Sequence, residues 1–286
     1  MSRTSVLPAC PVCRSPSLVS RFSVGGFAIL RCRGCGVGLS WPRPRQDEVS
    51  GLYTDASYFQ GAGYYLDYVA HEDNHRRLAR RVLAELEPLL PPGGRILDVG
   101  AAAGFFLDEA RARGFSVTGV ELSPEMSRHA RDELGLDVRR SAFEPGLFDQ
   151  ARFSAVTFLD SLEHFVDPEA ALAGARSLLE PGGVLALLTP NVGSPLARLL
   201  GPRWPHYTPP EHLWYFSPGS LARLLARVGF EEQRRGSLGH HWSLDELSTK
   251  LAPGARRAAR ALGLERRLAR SVYLNVGDLF VIATKV

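Results

Sequence analysis

The chain has 286 residues, 45% of them hydrophobic, which suits one large core plus a small appendage and excludes a disordered chain. No run reaches the roughly 18 apolar residues of a membrane span, and Met1 to Leu7 lacks the apolar segment of a signal peptide, so a cytoplasmic protein without a membrane partner is expected. A net charge of +4, nearly all of its basic part arginine, is too small to establish a nucleic-acid binder.

All four cysteines fall within the first 35 residues, as Cys10-Pro-Val-Cys13 and Cys32-Arg-Gly-Cys35, with 18 residues between the pairs. Two residues between paired thiolates let one turn present both sulfurs to an ion, and two such turns complete a tetrahedron around Zn²⁺. Four thiolates leave no open position, so the expected Zn²⁺ is structural. Between the pairs, Phe22, Val24, Phe27 and Ile29 flank Gly25-Gly26 as a hairpin, and the whole reads as a zinc ribbon over residues 1–45. Redox CxxC pairs, disulfides and an iron–sulfur cluster are the other readings of the same cysteines.

Trp41-Pro-Arg-Pro-Arg leaves the ribbon, and residues 46–286 form the second domain. A helix-rich lead-in with Tyr65, Tyr68, Val69, Leu78, Val82, Leu83 and Leu86 at helical intervals stops at Pro91-Pro92-Gly93-Gly94. Strands are then expected at 96–99, 117–120, 137–140, 155–159 and 184–188, with helices at 105–113, 124–134 and 168–179 between them. Short apolar strands alternating with amphipathic helices specify a doubly wound α/β domain with a parallel sheet covered on both faces. Its ligands bind beyond the carboxyl ends of the strands.

The first strand runs into Asp98-Val-Gly-Ala-Ala-Ala-Gly104, and the second ends in Glu121. Small residues let the backbone approach a ligand at a helix N-terminus, and a carboxylate at the end of the second strand suits two ribose hydroxyls, so a nucleoside-containing cofactor is implied. A dinucleotide dehydrogenase is the alternative for this fold, but the turn does not keep its G-x-G-x-x-G spacing.

With Ile96-Leu-Asp-Val-Gly, Val120-Glu-Leu-Ser, Asp160-Ser-Leu-Glu-His164, Leu179-Glu-Pro-Gly-Gly183 and Thr189-Pro-Asn191, the chain resembles the class I S-adenosylmethionine-dependent methyltransferases. It further resembles the small-molecule enzymes that carry Pro210-Glu-His-Leu-Trp-Tyr-Phe-Ser-Pro218 and end in a strand like Asp278-Leu-Phe-Val-Ile-Ala283. The resemblance implies a seven-stranded Rossmann-like sheet and the cofactor S-adenosylmethionine. It places Asp98, Gly100 and Gly104 at the methionine end, Glu121 on the ribose, Leu122 on adenine, Asp160 beside the amino-acid moiety and Tyr65 over the cofactor. Ala102 stands where the family has glycine, so a backbone open to a side chain is expected there.

The loop after the fourth strand lies beside the transferred methyl in the resembled family, which makes His164 a candidate general base with an ordinary imidazole pKa, or a brace for that loop. Residues 202–218 read either as an aromatic lid in which His212 and Tyr207 face the acceptor or as a loop whose aromatics fill the edge of the core, and residues 237–270 as a helical insertion. The expected acceptor is a small molecule such as a sugar or phenol. An RNA acceptor docked on Arg14, Arg21, Arg31 and Arg33 of the ribbon, and a non-catalytic cofactor-binding module, are the competing functions.

Overall fold

The computed structural model describes residues 9–54, 68–148, 152–243 and 271–286. Strands β1 (Leu18–Val24) and β2 (Phe27–Cys32) form the hairpin, turned by Gly25 and Gly26 at φ of 56° and 81°, the sign that a tight two-residue hairpin loop asks of both central residues. Strand β3 (Gly38–Trp41) adds antiparallel to β2. Helices α1 (Gln46–Thr54) and α2 (Glu72–Leu86) follow, α2 burying Leu78, Val82, Leu83 and Leu86 along one stripe.

The alternating region comprises β4 (Arg95–Val99), α3 (Phe105–Arg111), β5 (Ser116–Glu121), α4 (Pro124–Asp132), β6 (Val138–Arg140), β7 (Phe153–Leu159), α5 (Pro168–Leu178) and β8 (Leu179–Pro190). After it come α6 (Pro195–Leu200), β9 (Trp214–Tyr215), α7 (Pro218–Val228), β10 (Phe230–Gly236), β11 (His240–Ser243), β12 (Ser271–Leu274) and β13 (Asp278–Lys285). Helices α4, α5, α6 and α7 share one start signal. Ser123, Asp167, Ser194 and Ser217 each accept a backbone N–H three residues on, and a proline follows at the first helical position, where a missing N–H costs nothing.

The described residues build a seven-stranded sheet in the order β10-β13-β8-β7-β4-β5-β6, parallel from β8 to β6 and antiparallel at β13 and β10. The chain leaves β4 for β5 on one side and returns to β7 on the other, so the crevice of this doubly wound sheet opens at the carboxyl ends of β4 and β7. Helices α5 and α7 cover one face and α2 and α3 the other. Among the described residues no helix is long and apolar enough to cross a membrane.

The expected boundary at residue 45 does not separate two cores. Val12, Leu18, Leu30, Val37 and Leu39 of the ribbon pack in one continuous cluster with Trp214, Phe216, Leu221, Leu224 and Leu225. Strand β9 pairs with β3, Leu39 opposite Trp214, so the expected lid segment supplies the fourth strand of the ribbon sheet. Arg227 of α7 donates to the carbonyls of Pro11 and Val12, and Ser217 Oγ to that of Cys35. Of the expected helical insertion, residues 240–243 form a strand that pairs with 271–274 just beyond it, and 244–270 lie outside the described residues.

Candidate active site

A cavity of about 240 Å³ opens over the crevice. At one end β4 and β5 deliver two buried carboxylates. Asp98 sits opposite Gly119 and Thr157 in the sheet register and accepts a 2.6 Å hydrogen bond from Thr157 Oγ1. Burial holds its carboxyl up at about 7 against that hydrogen bond. Glu121 Oε2 accepts from Ala102 N at 2.9 Å and Oε1 from Ser123 N at 2.7 Å, so this carboxylate ties the turn after β4 to the turn after β5. Burial raises its pKa also.

Gly100 lies between them at φ +84°, where a Cβ would stand 2.8 Å from Ser161 Cβ, so only glycine lets the loops after β4 and β7 close on each other. Ala102, at φ +45°, keeps the left-handed backbone of a glycine despite its methyl group. The backbone open to a side chain that was expected there is not adopted, and the Ala102 N–H donates to Glu121. Leu122 lines the same end, as do Tyr68 and Asn74, whose Oδ1 is buried without a hydrogen-bond partner among the described residues. Burial and the Asp98, Asp160 and Glu121 carboxylates push the Tyr68 hydroxyl far up.

At the other end Asp160 follows the last residue of β7, at φ +52°, and a 3₁₀ turn over Leu162–His164 comes next. His164 Nδ1 is 3.0 Å from the Glu211 carbonyl oxygen, which can only accept, so Nδ1 carries the proton and Nε2 the lone pair. The Tyr53 hydroxyl of α1 lies 2.6 Å from the same Nδ1. Burial pulls the His164 pKa down to about 4, opposed by hydrogen bonds to the carbonyls of Glu211 and Asp160, so the ordinary imidazole pKa expected there is not kept. His212 stands edge-on to His164, ring centres 4.7 Å apart, its Nδ1 bonded to the His206 carbonyl at 2.7 Å. Glu163 is fully buried; Thr189 Oγ1 donates to its Oε2 at 3.0 Å, and its Oε1 has no hydrogen-bond partner among the described residues. His240 Nε2 lies 3.4 Å from Asp160 and 3.8 Å from Asp278, and His206 Nε2 3.3 Å from Asp278.

The cavity thus gathers Asp98, Gly100, Glu121, Leu122, Asp160, His164 and His212, and two expected site residues are elsewhere. Tyr207 packs against Phe22, Trp204 and Tyr215 at the ribbon seam, because β9 draws its segment there. Gly104, at φ +87°, serves helix packing: a Cβ would meet Leu136 Cδ1 at 2.6 Å and Ala130 at 3.0 Å. Tyr65 lies outside the described residues. Sequence reasoning missed Tyr53, Asn74, Glu163 and Asp278, and passed over Tyr68 for Tyr65. Glu163 and Asp278 stood inside the quoted Asp160-Ser-Leu-Glu-His164 and Asp278-Leu-Phe-Val-Ile-Ala283, whereas Tyr53 and Asn74 carried no local signal.

In the ribbon, Cys10 Sγ is 3.6 Å from Cys35 Sγ and Cys13 Sγ 3.5 Å from Cys32 Sγ, and all four sulfurs lie within 4.8 Å of one another. A disulfide needs about 2.05 Å, whereas a tetrahedron with metal–sulfur bonds of about 2.3 Å has edges near 3.8 Å. The donor set therefore fits a four-thiolate metal. Of the basic residues considered for RNA, Arg14 lies 3.8 Å from Glu169 and Arg31 donates to the Val192 carbonyl.

A doubly wound sheet with a small-residue turn after β4, a carboxylate ending β5 and a buried acidic and imidazole cluster after β7 defines a nucleoside-cofactor transferase. Residues 70–233, more than half of the chain, match the family model described as "Methyltransferase domain", and the chain belongs to that family. It is an S-adenosylmethionine-dependent methyltransferase. The chain is 35% identical over 179 residues to a ubiquinone biosynthesis O-methyltransferase of Xanthomonas axonopodis pv. citri, covering 56% of this chain and 72% of that one. To the same-named protein of Xanthomonas campestris pv. campestris (strain B100) it is 38% identical over 160 residues, 50% of this chain and 64% of that one, just under two thirds. In fold it is similar to the magnesium protoporphyrin IX methyltransferase of Synechocystis solved with bound SAH, at a TM-score of 0.55 and 16% identity over 85% of this chain and 100% of that one. The orphaned Asn74 Oδ1, the glycine-only approach at Gly100 and the Glu121 carboxylate fit the cofactor at the β4–β5 end.

Proposed function

We propose that the enzyme methylates a hydroxyl oxygen of a small molecule in the cytoplasm, with Asp98, Gly100, Glu121, Leu122 and Asp160 holding S-adenosylmethionine and His164 and His212 orienting the acceptor. Bound cofactor supplies an electrophilic methyl group on a sulfonium. The residues supply position and exclusion of water, which together carry most of the rate of such a transfer. The observation that carries the reading is the pair of imidazoles at the far end of the cavity, His212 buried and His164 half-buried, each with Nδ1 facing a backbone carbonyl and so with its ring held in direction. The relatives' names, which specify O-methyl transfer, support an oxygen acceptor. In the ribbon, Cys10, Cys13, Cys32 and Cys35 hold structural Zn²⁺; free thiols at tetrahedral spacing suit a reducing compartment.

The test is transfer of labelled methyl from S-adenosylmethionine into a host extract separated into small-molecule and RNA fractions. Label in the small-molecule fraction as a base-stable ether is expected. His164→Ala should lower turnover about 100-fold or more while cofactor affinity stays unchanged. Label confined to RNA, or full turnover by the variant, overturns the reading.

A further inference from the structure

A second cavity, of about 180 Å³, lies at the seam between the ribbon and the segment after β8, and among the described residues it shares no lining residue with the larger one. Arg21 and Phe22 of β1, Arg31 of β2, Arg198 of α6 and Tyr207 line it. Successive residues of a strand point to opposite faces, yet Arg21 and Phe22 both reach this space. The register explains why: Ser20 stands opposite Leu30 and Phe22 opposite Ile29, so Arg21 is the extra residue of a bulge that re-aims its side chain. Gly38 pairs with Arg31 across β2 and β3, and directly paired residues share a face, so its bare Cα leaves room beside the guanidinium. A Cβ there would stand 3.1 Å from Tyr215 Cβ.

Three arginines thus converge on one small space, and among the described residues no carboxylate forms an ion pair with any of them. Arg31 is half-buried and donates to the Val192 carbonyl at 3.2 Å. Burial pulls its pKa below the ordinary arginine value, with Arg198 and Arg21 acting in the same sense and Tyr207 in the opposite one. Burial raises the Tyr207 hydroxyl against the pull of Arg31 and Arg21, so it stays neutral and able to donate. Like charges held together in a partly desolvated pocket repel one another, and an anion seated among them removes that repulsion.

We propose that this cavity binds a phosphoryl group of a small molecule. A carboxylate would balance one of the three charges, whereas a phosphate or diphosphate balances two or more and offers oxygens for several two-pronged guanidinium contacts and the Tyr207 hydroxyl. Phe22, edge-on to Tyr207 with ring centres 5.0 Å apart, gives the cavity an apolar wall. Such an enclosed space seats the end of a small ligand, where an RNA backbone tracks along an open basic groove. The phosphoryl group belongs either to the methyl acceptor or to a separate small ligand, and the two sources share the chemistry that binds it. The site is read by binding alone, so it stands or falls apart from the proposed function.

The test is titration calorimetry of the full chain, zinc-loaded and saturated with S-adenosylmethionine, with pyrophosphate as the probe. One equivalent is expected to bind. Arg21→Gln and Arg198→Gln should each weaken it about tenfold, and Tyr207→Phe by a smaller factor. Both arginines are exposed, so the ligand-free variants should melt as the parent does. Absence of binding, or unchanged affinity in both glutamine variants, overturns the site. Equal affinity for citrate, which marks charge attraction alone, does so too, as does a short single-stranded RNA that binds as tightly and displaces pyrophosphate. Transfer of labelled methyl into the small-molecule fraction of a host extract then separates the two sources. Suppression by pyrophosphate that more extract overcomes places the phosphoryl group on the acceptor, and transfer indifferent to pyrophosphate places it on a separate ligand. Absence of any methyl transfer fails the proposed function and leaves the anion site standing.

Discussion

At the cofactor end of the cavity the decisive hydrogen bond joins residues 19 positions apart, Ala102 and Glu121, whereas at the acceptor end Tyr53 meets His164 across 111 positions and His164 meets Glu211 across 47. The first end is made by two successive strand-to-turn units whose geometry follows from their own small residues and carboxylates. The second exists only because β9 pins the 204–215 segment to the ribbon and so presents His206 and His212 to the loop after β7. On the proposed assignment of the two ends, binding of a widely used cofactor is encoded locally, and recognition of the particular acceptor by long-range packing.

The largest effect expected from breaking this division is on the ribbon. Cys32→Ser should release the metal and cost several kcal/mol, because a structural zinc site contributes folding energy outright. Since the ribbon shares its core with α7 and β9, methyl transfer should fall with it while the cofactor end keeps more of its affinity. Calorimetric melting and turnover check this, and native melting with full turnover in the metal-free variant would count against a shared core. Next in size, Glu121→Ala should weaken S-adenosylmethionine binding about 10–100-fold, the range of a charge-assisted hydrogen-bond loss of about 1.5–3 kcal/mol. Glu121→Gln, which keeps an acceptor for the Ala102 N–H, should lose less, and titration calorimetry separates the two.

A smaller, pH-dependent effect belongs to Asp98. Burial raises its carboxyl from the ordinary 3.8 to about 7, so between those values the folded chain retains a proton that the unfolded chain has released. The contribution to stability is full below about 4 and is lost as the pH rises through about 7, at up to about 1.4 kcal/mol per pH unit. Asp98→Asn should flatten that part of the stability profile in denaturant titrations from pH 4 to 7, and an unchanged slope would remove the assignment. Smallest, Ala102→Gly should relieve the left-handed strain at φ +45° and raise stability by up to about 1 kcal/mol, read as a higher denaturation midpoint at constant slope.

How far the sequence could be read follows the same division. Asp98, Glu121 and the strands that bear them were legible because each signal is a short apolar run followed by a turn, and such runs have few other uses than buried parallel strands. His164 and Glu163 stood together in one motif, yet Glu163 went unnamed because a glutamate within a loop carries no sign of its burial. Tyr207 and Gly104 were misplaced for a shared reason: a tyrosine in an aromatic segment and a glycine in a turn have the same appearance whether they face a ligand or a neighbouring side chain.

The sequence by itself determined the α/β alternation, the helix starts at Ser-Pro and Asp-Pro, the hairpin at Gly25-Gly26 and the four-cysteine cluster, since each rests on interactions among residues close along the chain. Only the tertiary structure decided that the ribbon and the sheet share a core, and that Glu163, His164 and His212 converge on the cavity beside Tyr53. The physical reason is that these depend on which apolar faces find each other, and hydrophobic burial, being non-directional, leaves no mark of its partner in the local sequence.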